Sequence, residues 1–441
     1  SVENDYLGNG FWAKSHQEEL PNKDLFVDFL IRMDDVSSEV LDSIDFDTPE
    51  SKRKSLVQAR IKEIKERETK DSNYWAEVKP FYGGNEYYLF VYERYNDVRL
   101  VGTPPESIGK FGGDTDNWMW PRHTGDFALF RVYTDANGNA AEYSENNIPM
   151  KPKHHLPISL DGVQEGDFAM VLGYPGGTDR YLSSFGVKLA IELYNPSVVD
   201  VREEKLNILN DYMRADRNIN IMYSSKKARI SNYWKYYIGQ TRGLKRLRVY
   251  DKKRQLEDAF SEFVASSENN KKIYGNVLLD MERSYEEIEK MTLSRIYLNE
   301  AAWGGPSFVR LTRRCEGLLK ALESGTDSLI ASAKKTFQEE VTSSFKEYKK
   351  EIDKDIFIKM MDMYFNTVPK DQLPQIIIDM EAKYNGDFQK WGDVLYEKSI
   401  FVDQDKLTDF LQKPSIKRIK KDPAYIIQKS ILDNYFNKTL P

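Results

Sequence analysis

Two hydrophobic rhythms divide this chain. In its first part, short apolar runs of strand length alternate with turn residues. Tyr87–Tyr92 (YYLFVY) is aromatic and β-branched, and Val98–Val101 precedes a Gly-Thr-Pro-Pro turn. Asp126–Thr134 (DFALFRVYT) leads into the turn Asp135-Ala136-Asn137-Gly138, and Asp167–Tyr174 (DFAMVLGY) is stopped by Pro175-Gly176-Gly177. Such runs read as strands, and their close spacing suits a closed antiparallel barrel. A helix interrupts them: Asp47-Thr48-Pro49 opens it, with Thr48 as cap and Pro49 in the first turn, and Val57, Ile61 and Ile64 recur at helical spacing to about Arg67. From about Val187 the period becomes helical. Leu278, Met281, Tyr285 and Ile288 fall on one face, as do Phe337, Val341, Phe345, Tyr348 and Ile352 over four turns, and both stripes read as core.

Glycine usage supports the division. Residues 1–190 hold 16 of the 25 glycines and the remaining 251 residues hold nine, so turns are concentrated in the first part. The boundary is placed near residue 180: strands and loops over 1–180, helices over 181–441. No repeat of solenoid period is visible.

Charge and composition then exclude several classes. With 64 basic and 70 acidic residues, the net charge of −6 argues against a dedicated nucleic-acid protein. At 40% hydrophobic and 13% aromatic, the chain can bury large cores. No apolar run reaches the ~18 residues that span a bilayer. A lone Cys315 forms no intrachain disulfide, and four histidines with one cysteine make no metal cluster, so neither metal nor cofactor is expected. The adjacent His154 and His155 precede a strand and would face opposite ways if extended. The start at Ser1 reads as that of a processed chain or a fragment.

Three segments hold candidate chemistry. The densest is Phe111–Arg131, FGGDTDNWMWPRHTGDFALFR, where Trp118, Trp120 and Asn117 stand among acids and glycines. Flat apolar walls beside an amide that both donates and accepts suit a polar pocket; the alternative is a turn whose tryptophans plug the end of a barrel. Asp126 stands where this loop enters a strand. A carboxylate shielded there can hold an imidazole in one tautomer, or it can simply cap the turn. His123, three residues away, reads as a loop histidine bound to backbone. Gly173-Tyr174-Pro175-Gly176-Gly177 lacks the Gly-Lys-Ser/Thr of a phosphate loop and reads as a turn. Finally, Lys226–Arg254 carries 11 basic residues and one acid, Asp251, with Trp234, Tyr236 and Tyr237 interleaved. A solvated helical face outweighs a nucleic-acid groove as its explanation. Asn232 lies inside that run, an amide amid aromatics.

The stretch from Asp114 to Phe127, DTDNWMWPRHTGDF, closely resembles the signature loop of the bacterial serine dipeptidyl peptidases of the dipeptidyl peptidase 7 and 11 type. Gly162–Asp167, Leu172–Gly176 and Ser231–Lys235 match that family too, and the resemblance covers the whole chain. It implies an α+β fold, part of a chymotrypsin-like double β-barrel with a large inserted all-helical domain. It implies that Asp126 is the triad aspartate, and that Asn117, Trp118 and Asn232 hold the free N-terminus of a peptide. The helical domain would then limit the cleft to two residues before the scissile bond. By the same resemblance, the triad His and Ser lie before Ser1 and beyond Pro441, the intact protein is a periplasmic or cell-envelope homodimer, and this polypeptide by itself is inactive. The alternative is a non-catalytic peptide-binding or scaffold protein with a degenerate peptidase fold.

Overall fold

A computed structural model describes residues 4–439, except 23, 43, 46, 71, 120, 122, 171–172 and 174–178. By packing, the chain divides into two compact units: one comprises Asn4–Phe111 and His123–Leu172, the other Ser1–Glu3, Gly112–Arg122 and Gly173–Pro441.

The first unit is a curled half-barrel of antiparallel strands. β1 (Phe11–Trp12), β2 (Leu20–Pro21), β6 (Val98–Thr103), β7 (Leu129–Thr134) and β8 (Ile148–Pro149) form one sheet, with β6 paired to β1, β2 and β7 and with β8 on the far side of β7. β3 (Val27–Asp35), β5 (Glu86–Tyr95) and β4 (Tyr74–Phe81) form a second sheet with β5 in the middle. A central strand covered on both sides should read as a continuous apolar run, and Leu89, Phe90, Val91 and Tyr92 are all buried. On one face, Leu89, Val91 and Ala76 pack with Val57 and Ile64 of the helix Glu50–Thr69. On the other, Trp75 stacks on Tyr92 at 4.8 Å, and the Arg94 guanidinium lies 3.7 Å from the Phe26 ring while pairing with Asp28.

Several expectations shift here. Pro49, not Thr48, occupies the N-cap position of the first long helix, and no side chain caps it. β7 begins at Leu129, so Asp126–Ala128 lie outside the strand expected from Asp126. The strand expected at Asp167–Tyr174 is absent over its described residues 167–170 and 173, which are exposed. The reason is local: no strand among the described residues offers a ladder to it, and an extended segment without a ladder leaves its polar backbone to water. Among the described residues the two sheets are open, not the closed barrel expected.

The second unit is helical, beginning at Ser184. Asn195–Ala215 and Arg217–Arg246 form an antiparallel pair, and Asp216 between them accepts the amide N–H groups of Asn218 and Ile219, capping the second helix. The core runs from Val198, Val201 and Leu209 through Phe308, Phe357 and Met360 to Phe410 and Ile431. Two stripes differ from expectation. Met281 and Ile288 are 40% exposed, and the buried end of helix Val277–Ile296 is carried instead by Thr292, Ser294 and Ile296. The stripe from Phe337 to Ile352 is split between helices Asp327–Phe345 and Lys350–Thr367, although Phe337, Val341 and Ile352 are buried. A constant apolar spacing survives a short break because the two helices share one core. No helix among the described residues is long and apolar enough to cross a membrane.

A buried ionic knot fastens this unit. The Lys205 ammonium, 2% exposed, donates to the carbonyl oxygens of Glu300 and Gly304 at 2.8 and 3.2 Å and reaches the Glu300 carboxylate at 3.3 Å. Arg202 donates to the same carboxylate at 2.7 Å. These contacts tie helix Asn195–Ala215 to the π-helical segment Tyr297–Trp303, whose wider turn leaves carbonyls in need of donors.

Two outcomes test this packing. Phe357, fully buried, stacks edge-on against Trp391 at 5.0 Å; Phe357→Ala should cost about 3–5 kcal/mol in urea unfolding. Burial pulls the Lys205 ammonium down from 10.5 to about 8. The unfolded chain therefore binds more protons than the folded one between those values, and the stability contributed by Lys205 rises across that window. Relative to Lys205→Met, the wild type should gain unfolding free energy from about pH 8 to about pH 10; a constant difference would show that the lysine titrates normally.

Candidate functional site

The tryptophan-rich loop belongs, over residues 112–122, with the helical unit rather than with the strands that flank it in sequence. A four-residue helical turn, Gly113–Asp116, delivers it, and the chain then extends at Asn117 (φ −63°, ψ 130°). Trp118 follows with φ +60°, a left-handed conformation that a bulky residue adopts only when its surroundings hold it there. The Met119 N–H donates back to the Asp116 carbonyl at 3.0 Å, closing the turn around it.

What holds Trp118 is Asn232. The Trp118 Nε1–H points at both the side-chain and main-chain oxygens of Asn232, at 3.1 and 3.2 Å. The Asn117 amide donates to the same Asn232 Oδ1 at 3.2 Å. Tyr236, one turn further along the helix, meets the Trp118 ring edge-on at 5.3 Å. Three residues to which the resemblance assigns one role thus converge within hydrogen-bonding distance across 114 or 115 positions of sequence. Asn117 and Asn232 are half-buried, and Trp118 is 51% exposed, so the group faces solvent on one side.

Asn232 is itself held from behind. Arg202 donates to the Ile230 carbonyl at 3.2 Å, and its guanidinium lies 5.2 Å from the Tyr233 ring. The same guanidinium is anchored by Glu300, within the knot around Lys205. The helix is thereby fixed on the side opposite Asn232. Sequence reasoning misses Arg202 and Glu300, because the ionic partners lie 98 residues apart and only the topology joins them; Tyr236 it notes only as one of the aromatics interleaved in the basic run.

Asp126 is placed differently. It is exposed, in the irregular segment just before β7, within the half-barrel unit. Among the described residues it is not shielded: Phe127, Leu129 and Phe130 beside it are themselves 45–48% exposed. His123 is also exposed. Trp120, Arg122 and the turn Tyr174-Pro175-Gly176-Gly177 lie outside the described residues. Cys315 is fully buried, and burial pushes its thiol up to about 12, which removes it as a nucleophile. Among the described residues no cluster of three or more His, Cys, Asp or Glu side chains could hold a metal ion.

The chain is 44% identical over 404 residues to an Asp/Glu-specific dipeptidyl-peptidase of Capnocytophaga gingivalis, covering 91% of this chain and 56% of that protein. It is 39% identical over 435 residues to dipeptidyl-peptidase 7 of Porphyromonas endodontalis, covering 98% of this chain and 52% of the relative. The crystal structure of Porphyromonas endodontalis DPP11 in complex with the dipeptide Arg-Glu superposes with a TM-score of 0.85 at 30% identity, over 99% of this chain and 63% of that one. The chain therefore spans a little over half the length of the relatives it matches. The family model described as Peptidase S46 matches residues 1–440, and the chain belongs to that family.

Proposed function

We propose that this chain is the amine-anchoring and helical part of a serine dipeptidyl peptidase, which releases dipeptides from peptides with a free N-terminus. The observation that carries this reading is the meeting of Asn117, Trp118 and Asn232 around one amide oxygen. An ammonium needs acceptors, and an amide oxygen offers one without the desolvation cost of a carboxylate. Asn232 Oδ1 already receives two N–H groups, so an arriving ammonium takes the place of the Asn117 N–H. A half-turn of the Asn117 amide then presents its own oxygen to the same cation. The Trp118 indole keeps its bond to the Asn232 main-chain carbonyl and remains as a wall.

In this reading Asp126 orients the triad histidine and stabilises the imidazolium formed when that histidine takes the proton of the serine hydroxyl. The serine attacks the carbonyl of the second peptide bond, the C–N bond breaks as the imidazolium returns its proton to the departing amine of the shortened peptide, and water hydrolyses the resulting acyl-enzyme to release the dipeptide. Histidine and serine are taken to lie outside these 441 residues, so the chain by itself binds peptide without cleaving it. We place the intact protein in the periplasm or cell envelope, as a homodimer.

Two measurements test the reading. A peptide with a free N-terminus should bind the 441-residue chain about ten- to a hundredfold more tightly than its acetylated form, the loss expected for a charge-assisted hydrogen bond. Asn232→Ala should abolish that difference, and equal affinity of both peptides for the wild type would remove the anchor. In the longer protein, Asp126→Asn should lower turnover by roughly 10⁴-fold if the carboxylate fixes the tautomer; undiminished turnover would exclude Asp126 from the chemistry.

A further inference from the structure

The helix that carries Asn232, Arg217–Arg246, holds eight basic residues and no acid over its 30 positions, in a chain whose net charge is −6. Arg229, Lys235, Arg242 and Arg246 lie three, three, ten and fourteen positions from Asn232; at about 100° per residue all four fall within about 80° of it around the helix axis. Tyr223, Ile230 and Ser231, buried in the core, lie on the remaining circumference. Arg229, Arg242 and Arg246 are exposed and Lys235 is half-buried, and none of the four has a carboxylate partner among the described residues. Elsewhere basic side chains of this unit do pair with acids, as Arg248 does with Asp251, Arg254 with Glu257 and Lys359 with Glu204. Gly239 and Gly243 share the face of Asn232, and a Cβ added at either would meet nothing within 4 Å. The stripe between Lys235 and Arg246 is therefore open.

We infer that this stripe is a docking surface for acidic side chains of a peptide substrate, outside the dipeptide that is released. The inference rests on the amine-anchor reading for where the peptide begins. With a rise of about 1.5 Å per residue, Arg242 and Arg246 lie about 15 and 21 Å along the axis from Asn232. The proposed path runs from Asn232 along the helix toward Arg246; an extended peptide on it advances about 3.3 Å per residue, so its fifth and sixth residues come within side-chain reach of them. Four unpaired cations facing water lose little on meeting carboxylates, and the local positive potential speeds the encounter with an acidic peptide. A long polyanion such as nucleic acid would also face the net negative charge of the rest of the molecule, whereas a short peptide meets only the stripe.

The test uses the 441-residue chain and four eight-residue peptides labelled at the C-terminus. Two carry aspartate at the fifth and sixth residues and two carry asparagine there; each kind is made with a free and with an acetylated N-terminus. At about 50 mM salt the aspartate peptide should bind about tenfold more tightly than its asparagine twin, and the advantage should shrink at about 300 mM salt. The variant Arg229→Gln, Lys235→Gln, Arg242→Gln, Arg246→Gln should lose the advantage while keeping its affinity for the asparagine peptide. Single substitutions Arg242→Gln and Arg246→Gln, at exposed positions, should each lose part of it without a change in melting temperature. Equal binding of aspartate and asparagine peptides by the wild type overturns the proposal, as does tighter binding of a thymidine oligonucleotide of equal charge. If acetylation leaves all affinities unchanged, the amine anchor fails; an aspartate preference that persists among acetylated peptides still supports the stripe.

Discussion

Everything assigned to the site depends on one amide oxygen. Asn232 Oδ1 receives the Asn117 and Trp118 N–H groups, and those bonds connect a short loop to the middle of a long helix. That acceptor, with the Asp116–Met119 turn and the Tyr236 ring, keeps Trp118 at φ +60°. Strain of this kind, on the order of 1–3 kcal/mol, persists only where surrounding contacts outweigh it. The arrangement is preorganised in the physical sense: the cost of shaping the loop is met in folding, not at the moment of binding.

A second layer makes the acceptor itself immobile. Asn232 sits on a helix whose opposite side is fixed by the guanidinium of Arg202, and Arg202 shares Glu300 with the buried Lys205. Two cations on one largely buried carboxylate bring little net stability, because desolvation offsets most of the attraction. Their geometric effect is larger. They lock the spacing between helices Asn195–Ala215 and Arg217–Arg246 at the level of Asn232, and they satisfy the carbonyls freed by the π-helical turn at Tyr297–Trp303.

How much of this is legible in the sequence varies with the range of the interaction. β5 and β6 are readable because their apolar runs are long and local, and the helical texture beyond Ser184 is readable from periodicity. Asp167–Met170 has the same strand pattern as β7 yet forms no strand, since a ladder requires a neighbour that pattern cannot supply. The stripe at Met281 and Ile288 has helical spacing but faces water, because periodicity fixes which residues share a face and not what covers it. Asn117, Trp118 and Asn232 are linked through resemblance to a family, not through spacing: no rule of sequence joins positions 114 apart. Arg202 and Glu300 escape a sequence reading for the same reason. Asp126 reads as shielded only if the strand beside it is covered, and its apolar neighbours are not.

The outer strand of the smaller sheet has a consequence for how this polypeptide behaves at high concentration. Among the described residues β3 borders only β5, and Phe29, Leu30, Ile31 and Met33 are each 40% exposed or more, with a bulge between Leu30 and Arg32 that turns successive side chains out of register. Unpaired backbone groups flanked by oily side chains on both faces are a template for intermolecular β-pairing. The bulge and the charges of Arg32, Asp34 and Asp35 act as gatekeepers against such pairing along this edge.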